Sequence, residues 1–156
     1  MPRVTTLLLT GLGSAAAAAL GAAGTDVDST WYRTLDKPAW QPPPLAFPLV
    51  WTPLYVAIAY GTARMIDAEE EPATRRRLAG LAALDLAVNA GWCWTFFRAR
   101  RPGAGLAVIA GLDALNVALV RAAGRRDPRA RAALLPYAAW CGFATVLNAE
   151  LWRRNR

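Results

Sequence analysis

Histidine is absent from this chain, and cysteine occurs only twice, at Cys93 and Cys141. The absence of histidine removes the commonest haem ligand, the commonest general base and the usual zinc ligand together. Both cysteines lie inside apolar runs and form no CxxC pattern, so we expect buried thiols that behave as small hydrophobes. The sequence shows no nucleophile–base pair and no metal cluster. It therefore disfavours a hydrolytic enzyme and predicts neither a metal site nor a required cofactor.

Acidic residues are also few, since 11 Asp and Glu stand against 18 Lys and Arg, a formal net charge of +7. The basic residues form no single face, because they cluster at the ends of the apolar runs. These clusters are Arg75–Arg77, Arg98–Arg101, Arg125–Arg131 and Arg153–Arg156. Such a distribution is typical of helices anchored at lipid headgroups, and it leaves no basic footprint for nucleic acid.

Long apolar runs make up most of the 156 residues, of which 55% are hydrophobic, with a mean hydropathy of +0.21. A helix needs about 20 mostly apolar residues to cross a hydrocarbon core. Five windows satisfy this length, at residues 4–24, 47–66, 78–97, 103–123 and 130–152. We therefore predict an all-α integral membrane protein, a five-transmembrane-helix bundle that forms a single domain over residues 1–156. The Ala- and Arg-rich composition is typical of a GC-rich bacterium and favours the bacterial cell membrane.

The first window has an alternative interpretation. Arg3 followed by an apolar, Ala-rich run is also typical of a cleaved signal peptide. A retained helix is favoured, because the first span of a multi-span protein can itself target the chain to the membrane. Its Gly13, Ala17 and Gly21 recur at every fourth position, which allows a neighbouring helix to approach closely.

Aromatic residues and prolines are concentrated between the first two windows. The segment Trp31–Tyr55 holds three Trp, two Tyr, one Phe and six Pro. Proline restricts the backbone, while Trp and Tyr supply flat apolar faces with one polar atom each. We therefore predict that the loop 25–46 is a stiff aromatic lid at the boundary between water and lipid.

Several polar side chains fall inside the predicted spans. Asp85, Asn89, Trp92 and Phe96 follow a 4, 3, 4 spacing that places them on one helical face. A second stripe repeats every four residues, at Trp140, Ala144, Asn148 and Trp152. Two such stripes facing each other form a slot for a flat ligand. The alternative is that the Asn side chains only hold helices together, with about 0.6–2 kcal/mol per contact.

A separate polar pair is predicted in the fourth window. Asp113 and Asn116 are three residues apart, so they are spaced to hydrogen-bond with each other on one helical face. We assign no functional role to this pairing.

Four blocks of sequence together resemble one known family. The blocks are WYRTLDKPAWQPPP at Trp31–Pro44, VWTPLY at Val50–Tyr55, LAVNAGWCWTFF at Leu86–Phe97 and PYAAWCGFATVLN at Pro136–Asn148. In order and spacing they are similar to the TspO/MBR family of tryptophan-rich sensory proteins, which are related to the translocator protein (the peripheral-type benzodiazepine receptor). The resemblance implies a five-helix bundle, usually a homodimer, that binds porphyrins or related tetrapyrroles and other hydrophobic ligands between its helices.

The resemblance also implies a set of ligand-binding residues. They are Trp31, Trp40, Phe47, Trp51, Tyr55, Asn89, Trp92, Phe96, Trp140, Ala144, Leu147 and Asn148. The chain has Ala104 where many relatives carry Trp, and Ala90 where the mitochondrial type carries Trp, so the pocket is expected to be wider or to differ in shape. It also has Ala149 and Glu150 where the sterol motif of the mitochondrial type needs Tyr, which argues against sterol binding at that site.

Three functions remain open from the sequence. The favoured one is a membrane receptor for porphyrins in stress sensing or tetrapyrrole regulation, in which Arg33 and Lys37 pair with the propionates of the ligand. The second is light- or oxygen-dependent porphyrin breakdown with Trp51 and Trp140 as the redox-active groups. The third is a small-molecule transporter, suggested by the intramembrane carboxyls Asp85 and Asp113.

Overall fold

The computed structural model describes residues 1–156, which form six α-helices and no strand. Five of the helices are 21 to 27 residues long, and the remaining one is a short helix in the first loop. The elements are α1 (Val4–Gly24), α2 (Thr30–Thr34), α3 (Ala46–Asp67), α4 (Pro72–Cys93), α5 (Pro102–Gly124) and α6 (Pro128–Arg154). A π-helical turn at Trp94–Arg98 extends α4.

Local sequence explains where several helices begin. The side chain of Glu71 accepts hydrogen bonds from the first backbone amides of α4, and Asp127 does the same for α6. Both helices, and α5 as well, have proline as their first residue, where its missing N–H costs nothing. In the first loop, Ser29 caps α2 by accepting a hydrogen bond from Tyr32. This short helix was not predicted from the sequence.

Four helices are long and apolar enough to cross a membrane, namely α1, α3, α5 and α6. The protein is therefore an all-helical, multi-pass membrane protein. The count of five spans is not confirmed by length and composition, because α4 does not reach the same hydropathy. Its first two turns carry Arg75–Arg77, and Asp85 lies near its middle.

The first helix is an integral part of the bundle and packs against α3 and α4. The hydroxyl of Thr10 donates to the carbonyl of Ala59 at 2.8 Å. At the N-terminal end of α1, the Thr6 hydroxyl donates to Asp67 Oδ1 at 2.8 Å, and Arg75 forms an ion pair with the same oxygen at 3.3 Å. The start of α1, the end of α3 and the start of α4 therefore meet around one carboxylate.

Close packing joins α3 to α6. A Cβ placed on Gly61 would lie 2.9 Å from Leu134 Cγ and 3.1 Å from the carbonyl oxygen of Ala130. Only glycine leaves room for this approach, so the two backbones come close at this point. The contact is part of a core that also holds Met65, Leu119 and their neighbours at this end of the bundle.

Candidate functional site

A hydrogen bond between Trp92 and Asn148 joins α4 to α6. The indole nitrogen of Trp92 donates to the amide oxygen of Asn148 at 2.9 Å, and Asn148 Nδ2 donates to the carbonyl of Pro102 at 2.8 Å. Asn148 is 1% exposed, so its amide is satisfied entirely within the protein. The two polar–aromatic stripes predicted from the sequence therefore face each other.

Aromatic rings from the loop, α3, α4 and α6 converge next to this hydrogen bond. Trp92 stacks on Phe96 with ring centroids 5.2 Å apart, and Trp31 meets Phe96 edge-on at 5.8 Å. Phe47 meets Trp140 edge-on at 6.1 Å. Trp51 and Tyr55 are adjacent to each other on α3 at 5.3 Å. We call these seven residues the aromatic cluster, namely Trp31, Phe47, Trp51, Tyr55, Trp92, Phe96 and Trp140.

A chain of polar groups leads from the aromatic cluster into the bundle. The hydroxyl of Tyr55 donates to Asn89 Oδ1 at 3.0 Å, and Asn89 Nδ2 donates to the hydroxyl of Tyr137 at 3.3 Å. Tyr137 in turn donates to Asp85 Oδ1 at 2.8 Å. The ring of Tyr137 also meets Trp51 edge-on at 6.1 Å. Three helices therefore contribute to one buried polar path.

The first loop lies against the same region. Besides Trp31 on Phe96, the ring of Tyr32 is 5.1 Å from that of Phe97, and Gln41 Nε2 donates to the Tyr32 hydroxyl at 3.2 Å. Burial raises the pKa of Tyr32 above its usual value, although the hydrogen bond from Gln41 acts in the opposite direction. The hydroxyl therefore stays protonated and uncharged where it meets the bundle.

The C-terminal end of α6 holds this loop at its exposed edge. The amide nitrogen of Asp36 donates to Asn155 Oδ1 at 2.8 Å, and Asn155 Nδ2 donates to the carbonyl of Asp36 at 3.0 Å. The Asp36 carboxylate also lies 3.5 Å from the guanidinium of Arg154. We call these three residues the loop latch. The two ends of the loop continue directly into α1 and α3.

The structure brings together all but one of the ligand-binding residues predicted from the sequence. Asn89, Phe96, Leu147 and Asn148 are buried, and the others that converge are half-buried, namely Trp31, Phe47, Trp51, Tyr55, Trp92, Trp140 and Ala144. Trp40 is different. Its ring is 47% exposed and contacts Phe143 at 5.9 Å, outside the aromatic cluster.

The residue that connects the aromatic cluster to Asp85 was not predicted from the sequence. Tyr137 is fully buried and makes hydrogen bonds to both Asn89 and Asp85. It lies three residues before Trp140 and seven before Ala144, so the helical period placed it on the predicted stripe. Phe143, which contacts both Trp40 and Trp140, was also missed. Its position three residues after Trp140 was the available signal.

The indole nitrogens and the cations of the first loop differ in whether they have a partner within the protein. Of the seven indole nitrogens, two donate within the protein, those of Trp92 and Trp94, so the indoles of Trp51 and Trp140 keep their donors free. In the loop, Lys37 Nζ donates hydrogen bonds to backbone carbonyls and lies 4.7 Å from the centre of the Tyr32 ring. Arg33 is exposed and forms no ion pair.

The polar pair predicted in the fourth window is wrong. The hydroxyl of Thr145 donates to Asp113 Oδ2 at 2.7 Å, whereas Asp113 Oδ1 and Asn116 Nδ2 have no hydrogen-bond partner. The two side chains share a helical face, but the partner of Asp113 comes from α6 rather than from α5. No three metal-binding side chains come together anywhere in the chain.

Two grooves follow the boundary of α1 and α4 on another side of the bundle. One of about 400 Å³ is lined mostly by Gly and Ala, including Gly13, Ala17, Ala87 and Ala90. The second, of about 280 Å³, begins near Arg75. Small residues of this kind permit close helix approach. The homodimer implied by the resemblance stays a prediction.

The helices and the aromatic cluster together define a multi-pass α-helical membrane protein with a tryptophan-rich interior beneath a proline-rich loop. Comparison with known proteins makes the assignment specific. The sequence model of the TspO/MBR family matches residues 5–153, and the chain belongs to this family.

Individual relatives agree with this assignment over most of the chain. The chain is 34% identical over 141 residues to the tryptophan-rich protein TspO of Chlorobaculum tepidum, which covers 88% of this chain and 89% of that protein. It is 36% identical over 125 residues to the tryptophan-rich sensory protein of Cereibacter sphaeroides, covering 80% and 77%. It is 34% identical over 128 residues to the translocator protein of Bos taurus, covering 81% and 75%.

Proposed function

We propose that this protein is a membrane receptor that binds porphyrins or related tetrapyrroles at the aromatic cluster and reports their presence in stress sensing or tetrapyrrole regulation. The observation that carries the proposal is the convergence of the predicted ligand-binding residues, all but Trp40, from the loop and three long helices. Relatives named as a sensory protein and as a translocator protein are compatible with binding of a small molecule in the membrane.

The chemistry of the aromatic cluster suits a flat apolar ring. Half-buried indole and phenol faces exclude water from a stacked macrocycle, and each such aromatic contact adds about 0.5–1.5 kcal/mol beyond area burial. The free indole donors of Trp51 and Trp140 supply hydrogen bonds to acceptors on the ligand. Arg33 remains as the exposed cation of the loop, since Lys37 is held by backbone carbonyls. We therefore assign the pairing with ligand carboxylates to Arg33.

The proposed architecture has five membrane-crossing helices, with α4 as the fifth. Its 22 residues span about 33 Å at 1.5 Å per residue, enough for a hydrocarbon core of about 30 Å. It runs beside α1 along its whole length: Arg75 lies near Thr6 at one end, and Trp94 donates to the carbonyl of Leu20 at the other. A neighbour of α1 over that distance occupies the same depth in the bilayer.

Titration with protoporphyrin IX tests the proposal. We expect saturable quenching of tryptophan fluorescence, with binding at least about tenfold weaker, or about 1.4 kcal/mol, in Trp51→Phe and Trp140→Phe. Trp152→Phe is the matched control, because its ring is 40% exposed and lies outside the aromatic cluster. The absorption band of the porphyrin serves as a second readout that does not depend on the number of tryptophans. Wild-type affinity in both cluster variants would contradict the assigned site.

Illumination of the same samples in air separates binding from breakdown. Receptor function predicts that the bound porphyrin keeps its spectrum as well as the protein-free control does. Faster loss of the spectrum with protein present, abolished in Trp51→Phe or Trp140→Phe, would instead assign the breakdown activity to these two tryptophans.

A further inference from the structure

The hydrogen bonds between Tyr55 and Asp85 all run in one direction. Tyr55 donates to Asn89, Asn89 donates to Tyr137, and Tyr137 donates to Asp85, at 3.0, 3.3 and 2.8 Å. The chain begins at the aromatic cluster and ends at a carboxyl group. Because Tyr55 gives its only proton to Asn89, its oxygen can offer a ligand nothing but an acceptor.

The carboxyl group at the end of the chain is unusual for its position. Asp85 is 0% exposed, makes no ion pair, and its Oδ2 has no hydrogen-bond partner. A carboxylate at membrane depth without a counter-cation is strongly disfavoured, and such groups mark proton or ion sites. A proton on this carboxyl group removes the charge without requiring any change in the fold.

No cation faces Asp85 from the helices packed around it. On α1 the nearest buried polar group is Ser14, whose hydroxyl also has no partner, and Arg3 lies at the far end of that helix with Asp67. The arginines that form ion pairs on α3 and α4 lie at the helix ends, at Arg64 and Arg75, and Arg126 lies beyond the end of α5. The titratable groups on the facing helices are Tyr55, Tyr137, Cys141 and, beyond Cys141, Asp113.

We propose that Asp85 is a proton-binding site and that its occupancy decides which hydrogen bond Tyr55 presents to a ligand in the aromatic cluster. The second half of this proposal rests on the proposed function. In the ionised state, the chain points toward Asp85 as described, and Tyr55 accepts from the ligand. In the protonated state, the chain runs the other way.

The reversal needs one proton from water and no covalent change within the chain. The new proton is carried by Oδ1 of Asp85, which lies 2.8 Å from the Tyr137 oxygen and donates the proton to it, and the Tyr137 hydroxyl turns to donate to Asn89. The amide of Asn89 turns over, which exchanges two groups of nearly equal size. Its Nδ2 then donates to Tyr55, and the Tyr55 hydroxyl is free to donate to the ligand. Ligands with acceptor groups, such as carboxylates or carbonyls, therefore bind better to the protonated state.

Infrared difference spectroscopy on the ligand-free protein tests the proton site. Between about pH 4 and about pH 9, we expect a carboxylic acid C=O band that titrates in the wild type and is lost in Asp85→Asn. The matched control is Asp113→Asn, which should keep the band. We also expect a tyrosine band, assigned by its loss in Tyr55→Phe, that shifts with the same midpoint. Absence of an Asp85-dependent band overturns the proton site, and a tyrosine band that does not shift with it overturns the reversal.

Binding of protoporphyrin IX across the same pH range tests the coupling to the ligand. The porphyrin titrates equally in all samples, so the comparison is between variants. For each protein we compare the affinity at low pH with the affinity at high pH. We expect this ratio to be at least about tenfold larger in the wild type than in Asp85→Asn. Tyr137→Phe, which keeps the ring but breaks the chain, should lose the same pH dependence. Equal pH profiles in the three proteins overturn the coupling. Absence of binding at every pH contradicts the proposed function instead, and the infrared bands still decide the proton site and the reversal.

Discussion

The amide of Asn148 lies 2.9 Å from the indole nitrogen of Trp92 and 2.8 Å from the carbonyl of Pro102, so one buried side chain connects α6 to both α4 and the start of α5. Asn148 is buried, so water does not replace either hydrogen-bond partner when that partner is lost. A change at any of them leaves a polar atom buried without a hydrogen bond. The aromatic cluster next to Asn148 therefore depends on a polar contact as well as on ring packing.

Replacement of Trp92 by Phe separates these two contributions. The ring still packs on Phe96, but the oxygen of Asn148 loses its donor, which costs roughly 1–3 kcal/mol of stability for a buried acceptor. We expect a lower midpoint of thermal unfolding in detergent. The control is Trp152→Phe, whose indole makes no hydrogen bond, and an equal loss in the two variants would contradict the role of this contact.

Substitution of Gly61 tests the close approach of α3 and α6. A methyl group there meets Leu134 and the backbone of Ala130 at 2.9 and 3.1 Å, so Gly61→Ala should destabilise the protein by about 1–3 kcal/mol. Gly142→Ala is the matched control, because its added methyl meets nothing within 4 Å. In that variant the better helix propensity of Ala should leave stability unchanged or raise it by up to about 1 kcal/mol. Thermal unfolding of the two variants side by side provides the measurement.

Removal of the two Asn155 hydrogen bonds of the loop latch should loosen the loop without unfolding the bundle. Asn155→Ala deletes both hydrogen bonds to the backbone of Asp36, so we expect faster amide hydrogen exchange at residues 30–41 and unchanged exchange in α3 and α5. Arg156→Ala serves as the control, because Arg156 is exposed and its guanidinium lies over the ring of Trp152, 5.5 Å from its centre. Wild-type exchange of the loop in Asn155→Ala would show that the ring contacts and the ion pair between Asp36 and Arg154 are enough to hold it.

The ion pair between Arg64 and Asp127 predicts a stability that depends on pH outside the membrane. Burial raises the pKa of Asp127, but the hydrogen bonds from Arg64 and from the amides of Arg129 and Ala130 outweigh it and hold the pKa below its usual value. Because the pKa is lower in the folded state, this stability is fully present above about pH 4. It is lost as the pH falls through the lowered value.

We expect Asp127→Asn to remove that acid-dependent part of the unfolding midpoint while Asn still caps α6. The measurement is the midpoint from about pH 2 to about pH 7. Asp28→Asn is the control, since Asp28 is exposed and forms no ion pair. A midpoint that falls as steeply in Asp127→Asn as in the wild type would contradict the contribution of this pair.

The sequence predicted the helices well because their signals are local. Apolar length and terminal arginines are both properties of short segments, and the five predicted windows lie within the long helices, the third extending into the π-helical turn. The hydropathy of α4 is the exception. Its arginines and Asp85 lower the average, although Asp85 faces inward and is fully buried.

Partner choice was less accessible from the sequence. The spacing of Trp92 and Asn148 placed each on the correct face, but only the assembled bundle, in which their side chains reach each other between α4 and α6, makes them partners. Asp113 shows the same limit, since its helical neighbour Asn116 was the predicted partner and Thr145 of α6 is the actual one. Tyr137 could have been found from its helical period. Its contact with Asp85 could not, because it depends on the depth at which two helices meet.

The two chain ends lie at opposite ends of the bundle, with Arg3 beside Asp67 and Asn155 beside Asp36. This arrangement affects where an affinity tag or a fluorescent protein can be attached. A fusion after Arg156 places a bulky, mobile neighbour next to the loop latch, whereas one before Met1 is remote from it. Ligand measurements are therefore best made on N-terminally tagged protein. A pair of reporters, one at each end, would show which face of the bilayer the loop occupies.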